Sequence, residues 1–312
     1  MNDFFTRRDA CPSCGNHDNL VVFNGRFTEK PAVDYIKTTL PEDVIAREFS
    51  NEDYTLMKCP RCELIFQRAI LNDAGMMAFY NEWLPNSPII HAVAAKDQAE
   101  QHAKLTQELF VLAKLMGRPS RHISILDFGM GQGRFCMVAK SMGFQVTGSD
   151  ISVEVLESAA KDGIETSRLE DLNGRKFDFI NTEQVFEHLG NPREQLQGLV
   201  SLLKQDGIIR ISVPNGRGIE KRLKHMDFSA PRGHRNYLVP VTPGQHVNTF
   251  SYSSLRAFGK TLGLEAIAVP FWYQYSIIPA MNAKIFVKSI LRPIYYHFMK
   301  PAAIYFRPLK EA

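Results

Sequence analysis

Four of the five cysteines of the sequence lie in two matched pairs, and thiols at this spacing commonly bind a metal ion. Cys11 and Cys14 enclose Pro-Ser, and Cys59 and Cys62 enclose Pro-Arg. Two intervening residues let a tight turn aim both sulfurs at one ion, and two such turns supply the four-sulfur tetrahedron of a structural zinc site. We therefore predict that these four thiolates bind one structural Zn²⁺ ion. A redox dithiol and unrelated surface thiols are the alternatives, and the lone Cys136 is expected in the core.

A glycine-rich stretch lies between a predicted strand and a predicted helix. Its glycines, Gly129, Gly131 and Gly133, occupy alternate positions. Glycine permits a tight turn and lets a ligand lie against bare backbone. Asp150 follows the next predicted strand, where a carboxylate can reach both ribose hydroxyls of a nucleoside. Asp127 precedes the glycines and would repel a pyrophosphate, so the loop suits a cationic or amino-acid ligand better.

Two histidines are candidates for proton transfer, because histidine is the usual proton acceptor near neutral pH. His188 follows Glu187 directly after a predicted strand, at the sheet edge where such folds bind ligands. His246 lies in a polar stretch. A histidine that only shapes its loop is the alternative at both positions. A basic cluster in the same stretch fits either a phosphate group or a solvated face: Arg217, Lys221, Arg222, Lys224, Arg232 and Arg235.

The candidate residues in the second half of the chain are predicted to be positioned by strands and helices that alternate along the sequence. Apolar runs predict strands at 122–128, 144–149, 176–181 and 207–213, and helical periodicity predicts helices at 132–142, 152–161 and 192–204. This alternation is typical of a parallel sheet in an α/β fold. A long helix is predicted from His91 to Met116, a loop over the sheet edge at 215–250, a helix near 252–262 and a strand near 264–269.

Composition limits the class of protein. The chain has 312 residues, of which 45% are hydrophobic and 22% charged, so disorder and a collagen-like structure are excluded. Its first residues contain no apolar segment of signal-peptide length, and no apolar run reaches the roughly 18 residues of a membrane span. We therefore expect a cytoplasmic protein, in which paired cysteines bind metal rather than form disulfides. The predicted segments are a zinc-binding module at 1–70, a helical linker region at 71–119, an α/β domain at 120–270 and a tail at 271–312.

The tail is aromatic and basic. Pro293, Pro301 and Pro308 divide it into short pieces, which excludes one spanning helix. Packing of the tail on the α/β domain and peripheral contact with a membrane surface both stay open.

The ordered motifs resemble the class I S-adenosylmethionine-dependent methyltransferases over roughly residues 120–270. The motifs are Leu126–Phe135 (LDFGMGQGRF), the acid Asp150 in GSDIS, the acidic stretch Leu169–Leu172, then FDFINTEQVFEHLGNP and LLKQDGIIRISVPN. The resemblance implies a Rossmann-like domain with a mostly parallel seven-stranded sheet, beside a small zinc-ribbon-like module. It implies that S-adenosylmethionine is held by Asp127, Gly129, Gly131 and Gly133 at its methionine part, by Asp150 and Ile151 at the ribose, by Glu170 or Asp171 at the adenine, and by Gln184 and Val185 near the methyl group. Met130 replaces the usual Cys, and Gln205-Asp206 replaces Pro-Gly.

The segment around His246, together with the cysteine pairs, looks like the sugar C-methyltransferases. Their corresponding segment reads HEHFSYFS, and its final histidine, which His246 matches, deprotonates a carbon beside a sugar ketone. Gln245 stands in place of their glutamate and Pro243 in place of their tyrosine. Since glutamine cannot stabilise an imidazolium by charge, C-methylation and a simpler O-methylation with His246 as the base both stay open.

The leading hypothesis is therefore methylation of a saccharide or another small molecule of a glycan pathway, with a nucleotide-linked or polysaccharide sugar as the acceptor. An RNA methyltransferase is the second hypothesis, because some RNA-modifying enzymes also carry a cysteine module before this fold. The sequence lacks their Asn-Pro-Pro-Tyr type of motif. A zinc-containing scaffold with no catalytic activity is the third.

Overall fold

Most of the predicted apolar runs form strands. A computed structural model of the protein describes residues 4–83, 98–230, 234–275 and 283–309. The strands are β1 (Phe5–Arg7), β2 (Leu20–Arg26), β3 (Asp53–Lys58), β4 (Ile65–Gln67), β5 (Ala69–Leu71), β6 (Ser124–Phe128), β7 (Gln145–Ser149), β8 (Glu165–Thr166), β9 (Phe177–Glu183), β10 (Leu203–Ser212), β11 (Asn248–Thr249), β12 (Leu264–Ile267) and β13 (Ala303–Pro308).

Polar side chains cap the first turns of some helices. Ser152 accepts a hydrogen bond from the backbone of Val155 at the start of α6, and Ser251 forms a reciprocal capping box with Ser254 at the start of α9. The helices are α1 (Ala32–Ile36), α2 (Glu42–Glu48), α3 (Asp73–Ala78), α4 (Gln98–Met116), α5 (Arg134–Ser141), α6 (Val153–Lys161), α7 (Pro192–Ser201), α8 (Ile219–Leu223), α9 (Tyr252–Lys260) and α10 (Ala283–Ile294).

The seven-stranded sheet has the order β12-β13-β10-β9-β6-β7-β8 among the described residues. The pairs β10–β9, β9–β6, β6–β7 and β7–β8 are parallel, while β13 runs antiparallel to both of its neighbours. The predicted mostly parallel α/β sheet is confirmed. The predicted strands and helices between 122 and 213 are all present, with ends displaced by a few residues, and the short β8 was not predicted.

The C-terminal tail is part of this sheet, which corrects the expectation that the domain ends near residue 270. Strand β13 pairs Phe306 with Ile209 of β10 and with Ala266 of β12. Its residues Ile304, Tyr305 and Phe306 are buried, so packing on the domain is the correct interpretation for this part of the tail.

Helix α10 also departs from the predicted break at Pro293. The helix includes Pro293 and ends one residue later, followed by a π-helical turn at Tyr295–Met299. Because the proline stands at the end of the helix, it removes only a bond of the last turn. None of the helices in the described ranges is long and apolar enough to cross a membrane. The predicted helix from His91 is seen from Gln98 onward, and residues 91–97 lie outside the described part of the chain.

A second, antiparallel sheet has the order β11-β4-β3-β2, and β1 pairs with β5. The long insertion between the cysteine pairs holds β2, β3 and the two helices between them. Residues 215–250 were predicted as a loop, but the structure shows a short helix and a short strand in this stretch. The helix is α8, and the strand β11 pairs with β4 by placing Asn248 opposite Phe66.

Contacts divide the chain into two units. One comprises Met1–Ala94, Phe186–Gln195 and Val213–Thr261, and the other comprises Ala95–Val185, Leu196–Ser212 and Leu262–Ala312. This division differs from the predicted boundaries at 70, 119 and 270, because 186–195 and 213–261 group with the cysteine pairs. The physical reason is a shared core, in which Ile219, Leu223 and Val241 are buried in one cluster with Phe27 and Phe49.

Candidate cofactor loop, histidine pair and cysteine cluster

The glycine loop at the end of β6 has a backbone that favours glycine. Gly129, Gly131 and Gly133 have φ angles of 71°, 49° and 68°. A Cβ added to Gly129 would lie 2.4 Å from Val185 Cγ2, whereas one added to Gly131 would meet nothing within 4 Å. Gly129 is therefore required for packing. The open space beside Gly131 leaves its backbone accessible, and ligand binding there stays a prediction.

Asp150, just beyond β7, is tied to this loop. Its Oδ2 accepts a hydrogen bond from the backbone N–H of Gly131 at 2.9 Å, and its Oδ1 accepts one from Ser152 N–H at 3.1 Å. Each carboxylate oxygen has a second lone pair, so the group can still accept hydrogen bonds from a diol. Ile151 follows with 71% of its surface exposed, which makes it an apolar surface beside the carboxylate.

Asp127 lies beneath the loop and is 3% exposed. Its Oδ1 accepts a hydrogen bond from Asn181 Nδ2 at 2.8 Å, and the thiol of Cys136 donates to its Oδ2 at 3.4 Å. Burial raises the pKa of Asp127 to about 6, against the opposite effect of these two hydrogen bonds. A carboxylate in such surroundings would gain strongly from a cationic partner. Cys136 is buried, as expected.

The remaining cofactor candidates lie at strand ends. Glu170 and Asp171 are exposed on a 3-10 turn (Glu170–Leu172) that follows β8. Gln184 directly follows β9, has a φ of 59° and donates its backbone N–H to Ser212 O at 2.7 Å. Its side chain is exposed. Among the described residues, no hydrogen bond or ion pair joins these side chains to Asp127, and their cofactor role stays a prediction.

Sequence reasoning missed the polar residues that support Asp127. Arg210, within the apolar strand β10, is 2% exposed and donates to Asn181 Oδ1 at 3.1 Å. Gly148 was also missed, although a Cβ there would lie 2.0 Å from Met130 Sδ. The available signal was a polar residue inside an otherwise apolar strand, since such a residue needs a buried partner.

His188 and His246 form a pair in the other unit. Their rings lie 4.8 Å apart in an edge-to-face arrangement. The Nδ1 of His188 is 3.0 Å from Gln245 O, and that of His246 is 2.5 Å from Val239 O. Carbonyls accept only, so in each ring Nδ1 carries the proton and Nε2 keeps its lone pair. Burial lowers the pKa of His188 to about 4 and, together with the charge of His188, lowers that of His246 to about 3.

Three polar side chains hold the backbone around this pair. Gln67 Nε2 donates to His246 O at 3.0 Å, and Asn248 Nδ2 donates to the carbonyls of Phe186 and Leu189 at 2.9 and 2.7 Å. Arg8 donates to Asn248 Oδ1 at 2.9 Å. The backbone at both histidines is thus held by hydrogen bonds that are partly or fully buried, which is typical of preorganised sites.

Glu187 completes a group of three. Its side chain is 1% exposed, and Oε1 lies 3.9 Å from His188 Nε2. The ligand atoms of Glu187, His188 and His246 all lie within 4.8 Å of one another.

The four predicted metal ligands also converge. The Sγ atoms of Cys11, Cys14, Cys59 and Cys62 lie within 4.8 Å of one another, and the pairs Cys11–Cys62 and Cys14–Cys59 are 3.5 Å apart. A tetrahedral zinc site has sulfurs about 3.8 Å apart, so the cluster fits this ion. The pKa of the Cys62 thiol is lowered to about 5, mainly because Cys11 donates a hydrogen bond to it. This lowered pKa favours the thiolate form of Cys62.

The two cysteine turns have the same backbone geometry. Gly15 N–H donates to Cys11 O, and Glu63 N–H donates to Cys59 O, each at 2.9 Å. Gly15 and Glu63 occupy equivalent positions with φ angles of 73° and 61°. The sequence repeat is therefore a structural repeat, as two metal-binding turns require.

The basic cluster is partly structural. Arg222 donates to the carbonyl of Tyr237 at 2.6 Å and to that of Arg217 at 2.5 Å. Its guanidinium thus orders the loop, while Arg232 lies outside the described residues. If the cluster binds a phosphate group, four exposed residues can take part: Arg217, Lys221, Lys224 and Arg235.

Comparison with known sequences decides the family. A sequence profile described as a methyltransferase domain matches residues 95–269, which is more than half of the chain. The chain belongs to this family. The expectation of a methyltransferase is therefore confirmed at the level of the family, and the seven-stranded α/β sheet is the fold that carries it.

Individual relatives match this methyltransferase over part of their length. A ubiquinone biosynthesis O-methyltransferase of Haemophilus ducreyi is 32% identical over 106 residues, which are 29% of this chain and 45% of that protein. The protein of the same name from Rickettsia akari is 30% identical over 118 residues, or 34% of this chain and 47% of that protein. The matches thus span about half the length of these relatives.

Solved structures are more distant. The plantazolicin methyltransferase BpumL in complex with SAH has 16% identity and a TM-score of 0.46, covering 74% of this chain and 91% of that one. Its complex with a monoazolic desmethylPZN analog and SAH has 16% identity and a TM-score of 0.49, covering 75% and 93%.

Proposed function

We propose that the protein is an S-adenosylmethionine-dependent methyltransferase that methylates a small molecule. The observation that carries this proposal is the loop of Gly129, Gly131 and Gly133, which leaves open space at Gly131 and is bound to the carboxylate of Asp150. S-adenosylmethionine would supply the methyl group from a sulfonium. Asp150 and Ile151 would hold its ribose, and Asp127 would attract its cationic amino-acid part. Glu170, Asp171 and Gln184 are proposed as further contacts.

The acceptor proposed is a hydroxyl group of a saccharide or another small molecule of a glycan pathway. His246 matches the base of the sugar C-methyltransferases in sequence, but Gln245 and Pro243 replace its helpers, which favours O-methylation. The relatives named as O-methyltransferases support oxygen as the acceptor atom. His188 and His246, each with an unprotonated Nε2, are proposed to manage the acceptor proton.

A second acceptor class follows from the names of those relatives. Their activity belongs to ubiquinone biosynthesis, so a hydroxyl of a ubiquinone precursor is the competing candidate. RNA is a weaker candidate, because Arg222 of the basic cluster is engaged by backbone carbonyls.

The four cysteines are proposed to bind one structural Zn²⁺ ion. With four thiolates the coordination is closed, so the ion would stabilise the fold and take no part in methyl transfer.

We also propose that α10 contacts an anionic membrane surface. Residues 283–300 include the exposed Lys288 and Lys300 and no acidic residue. Exposed apolar side chains accompany these cations along the helix and the turn after it, as in helices that lie in a membrane interface: Phe286, Val287, Ile290, Leu291, Ile294, Tyr295, Phe298 and Met299.

Methyl-labelled S-adenosylmethionine tests the function. The purified protein is incubated with this cofactor and host extract, which is then separated into nucleotide sugars, glycolipid and polysaccharide, quinone lipids, RNA and protein. Label in a sugar fraction is expected, and it should be lost with His246→Ala but kept with His225→Ala, an exposed histidine outside the pair. Label in quinone lipids would favour the second acceptor class, and label in RNA would contradict both.

A further inference from the structure

Glu187, His188 and His246 unite two imidazoles and one carboxylate in one cluster. Their ligand atoms lie within 4.8 Å of one another. Two histidines and one carboxylate form a common ligand set for divalent first-row transition ions, and this set leaves coordination positions open. We propose that the cluster binds one such ion, separately from the zinc of the four cysteines.

The orientation of both imidazoles supports this site. In each ring Nδ1 is hydrogen-bonded to a backbone carbonyl, that of Gln245 for His188 and that of Val239 for His246. Metal-bound histidines use the same outer contact, because it fixes the tautomer and directs the other nitrogen to the ion. Both Nε2 atoms therefore have the protonation state that coordination requires.

The carboxylate of Glu187 is suited to be the third ligand. It is 1% exposed, and Oε1 lies 3.9 Å from His188 Nε2. Attraction between a cation and a carboxylate is stronger in such buried surroundings than in water. The side chain of His188 is 28% exposed, so we expect that an ion and one further ligand can reach the cluster from solvent.

The spacing requires a modest adjustment on binding. Ligand atoms of a tetrahedral ion with bonds of about 2.0–2.1 Å lie about 3.3 Å apart. The widest separation in the cluster, up to 4.8 Å, must therefore contract. The backbone is fixed by Gln67 and Asn248, so side-chain rotation of Glu187 is the movement available.

A catalytic role of the bound ion rests on the proposed function, whereas binding of the ion by the three side chains does not. An ion with an open position can bind an acceptor hydroxyl and lower its pKa. The ion would then occupy both Nε2 lone pairs that the proposed function assigns to proton transfer, so the hydroxyl proton would leave to solvent instead. The oxygen would form the new bond to the methyl carbon, while the electron pair of the broken C–S bond stays on sulfur.

Cobalt titration of the full-length protein tests the site. After treatment with EDTA, the protein is titrated with Co²⁺ while visible absorption is recorded. Cobalt bound by thiolates absorbs strongly through sulfur-to-metal charge transfer, whereas nitrogen and oxygen ligands give only weak d–d bands. We expect one equivalent of the second kind. Glu187→Gln and His246→Ala should each weaken its affinity at least about 10-fold.

His225→Ala is the matched control and should bind as the wild type does, since its side chain lies outside the cluster. Circular dichroism establishes that each variant is folded, and His246→Gln replaces His246→Ala if the latter is not. Absence of the second equivalent in the wild-type protein would overturn the inference, and so would unchanged affinity in a folded His246 variant.

Two further readouts separate the inference from the proposed function. Binding of S-adenosylmethionine is measured calorimetrically on the same protein without added metal. If the cobalt site is present but no extract fraction is labelled, only the proposed function fails. If methyl transfer proceeds and no second ion binds, only the inference fails.

Discussion

A methyl group at Gly129 would lie 2.4 Å from Cγ2 of Val185. Gly129 is therefore packed tightly against Val185, two residues after the end of β9. A Cβ at Gly131, two positions later, would have no atom within 4 Å. Gly129 thus contributes to packing, whereas Gly131 leaves space for a ligand. Substitutions at the two positions can therefore test the two roles separately.

Gly129→Ala should destabilise the protein by about 2–5 kcal/mol, the sum of overpacking and left-handed strain. Gly131→Ala should cost only the strain, about 1–2 kcal/mol, yet remove most cofactor binding because its methyl group fills the open space. Urea unfolding and calorimetry measure the two effects. Adding Val185→Ala to Gly129→Ala should restore part of the stability. No restoration would contradict the assigned contact.

The raised pKa of Asp127 predicts that both the stability of the fold and cofactor binding depend on pH. Its pKa is raised to about 6, above the usual 3.8, so the folded state binds the proton more tightly than the unfolded state. Its contribution to stability is therefore complete below about pH 4 and is lost as the pH rises to about 6, by about 3 kcal/mol in total. Cofactor binding should change in the opposite direction and strengthen as the pH rises through about 6, where the carboxyl group of the folded protein ionises and can attract the cationic ligand. Calorimetric titrations from pH 5 to pH 7.5 would measure this, and Asp127→Asn should abolish the pH dependence.

Glu108 predicts a strong effect on stability, and its Oε2 lies 3.5 Å from Nε of Arg210, the residue that supports Asn181 and Asp127. Its carboxylate, 3% exposed, accepts hydrogen bonds from Arg292, Tyr296 and Tyr305 at 2.8–2.9 Å. Burial alone would raise its pKa, but Arg292 and the buried Arg210 hold it well below the usual value.

Glu108→Gln should therefore destabilise the fold by about 3–5 kcal/mol, because the buried Arg292 and Arg210 lose the carboxylate that they share, while Arg210 keeps only Glu183, at 3.5 Å, as an acidic partner among the described residues. Glu265→Gln, which removes an exposed pair with Arg307, is the control and should cost under about 1 kcal/mol. Chemical unfolding at pH 7 compares the two variants, and equal losses would contradict the network.

Loss of the proposed zinc should destabilise the protein. Cys14→Ser is expected to lower zinc content and to reduce the unfolding temperature by about 8 °C or more, since a bound ion stabilises only the folded state. Cys136→Ser, the control, should retain zinc. Elemental analysis and calorimetry give both values, and a full zinc content in Cys14→Ser would exclude the proposed ligand set.

The proposed membrane contact predicts liposome binding. The wild-type protein should sediment with vesicles that contain anionic lipid, and the double variant Phe286→Ser/Phe298→Ser should do so several-fold less, because both exposed aromatic side chains are lost. Neutral vesicles should bind less than anionic ones. Equal sedimentation of the two proteins would indicate that this face does not touch lipid.

Local patterns predicted the strands and helices around the glycine loop, because hydrophobic periodicity and turn residues act over short distances along the chain. They could not predict that Asn248 pairs opposite Phe66, or that Asn181 and Arg210 support Asp127. These contacts join residues far apart in sequence, and a two-residue strand such as β11 has no periodicity to detect. The convergence of the four cysteines was predictable because the repeated spacing already defines each half of the cluster.

The position of β13 has a consequence for synthesis of the chain on the ribosome. Among the described strands, β12 pairs only with β13, and β13 also covers the outer edge of β10. Both strands are translated tens of residues before residues 303–308 emerge, so the nascent protein exposes an unpaired strand edge until then. A chaperone that shields such edges would therefore act late in translation, and ribosome stalling before residue 303 would leave an aggregation-prone intermediate.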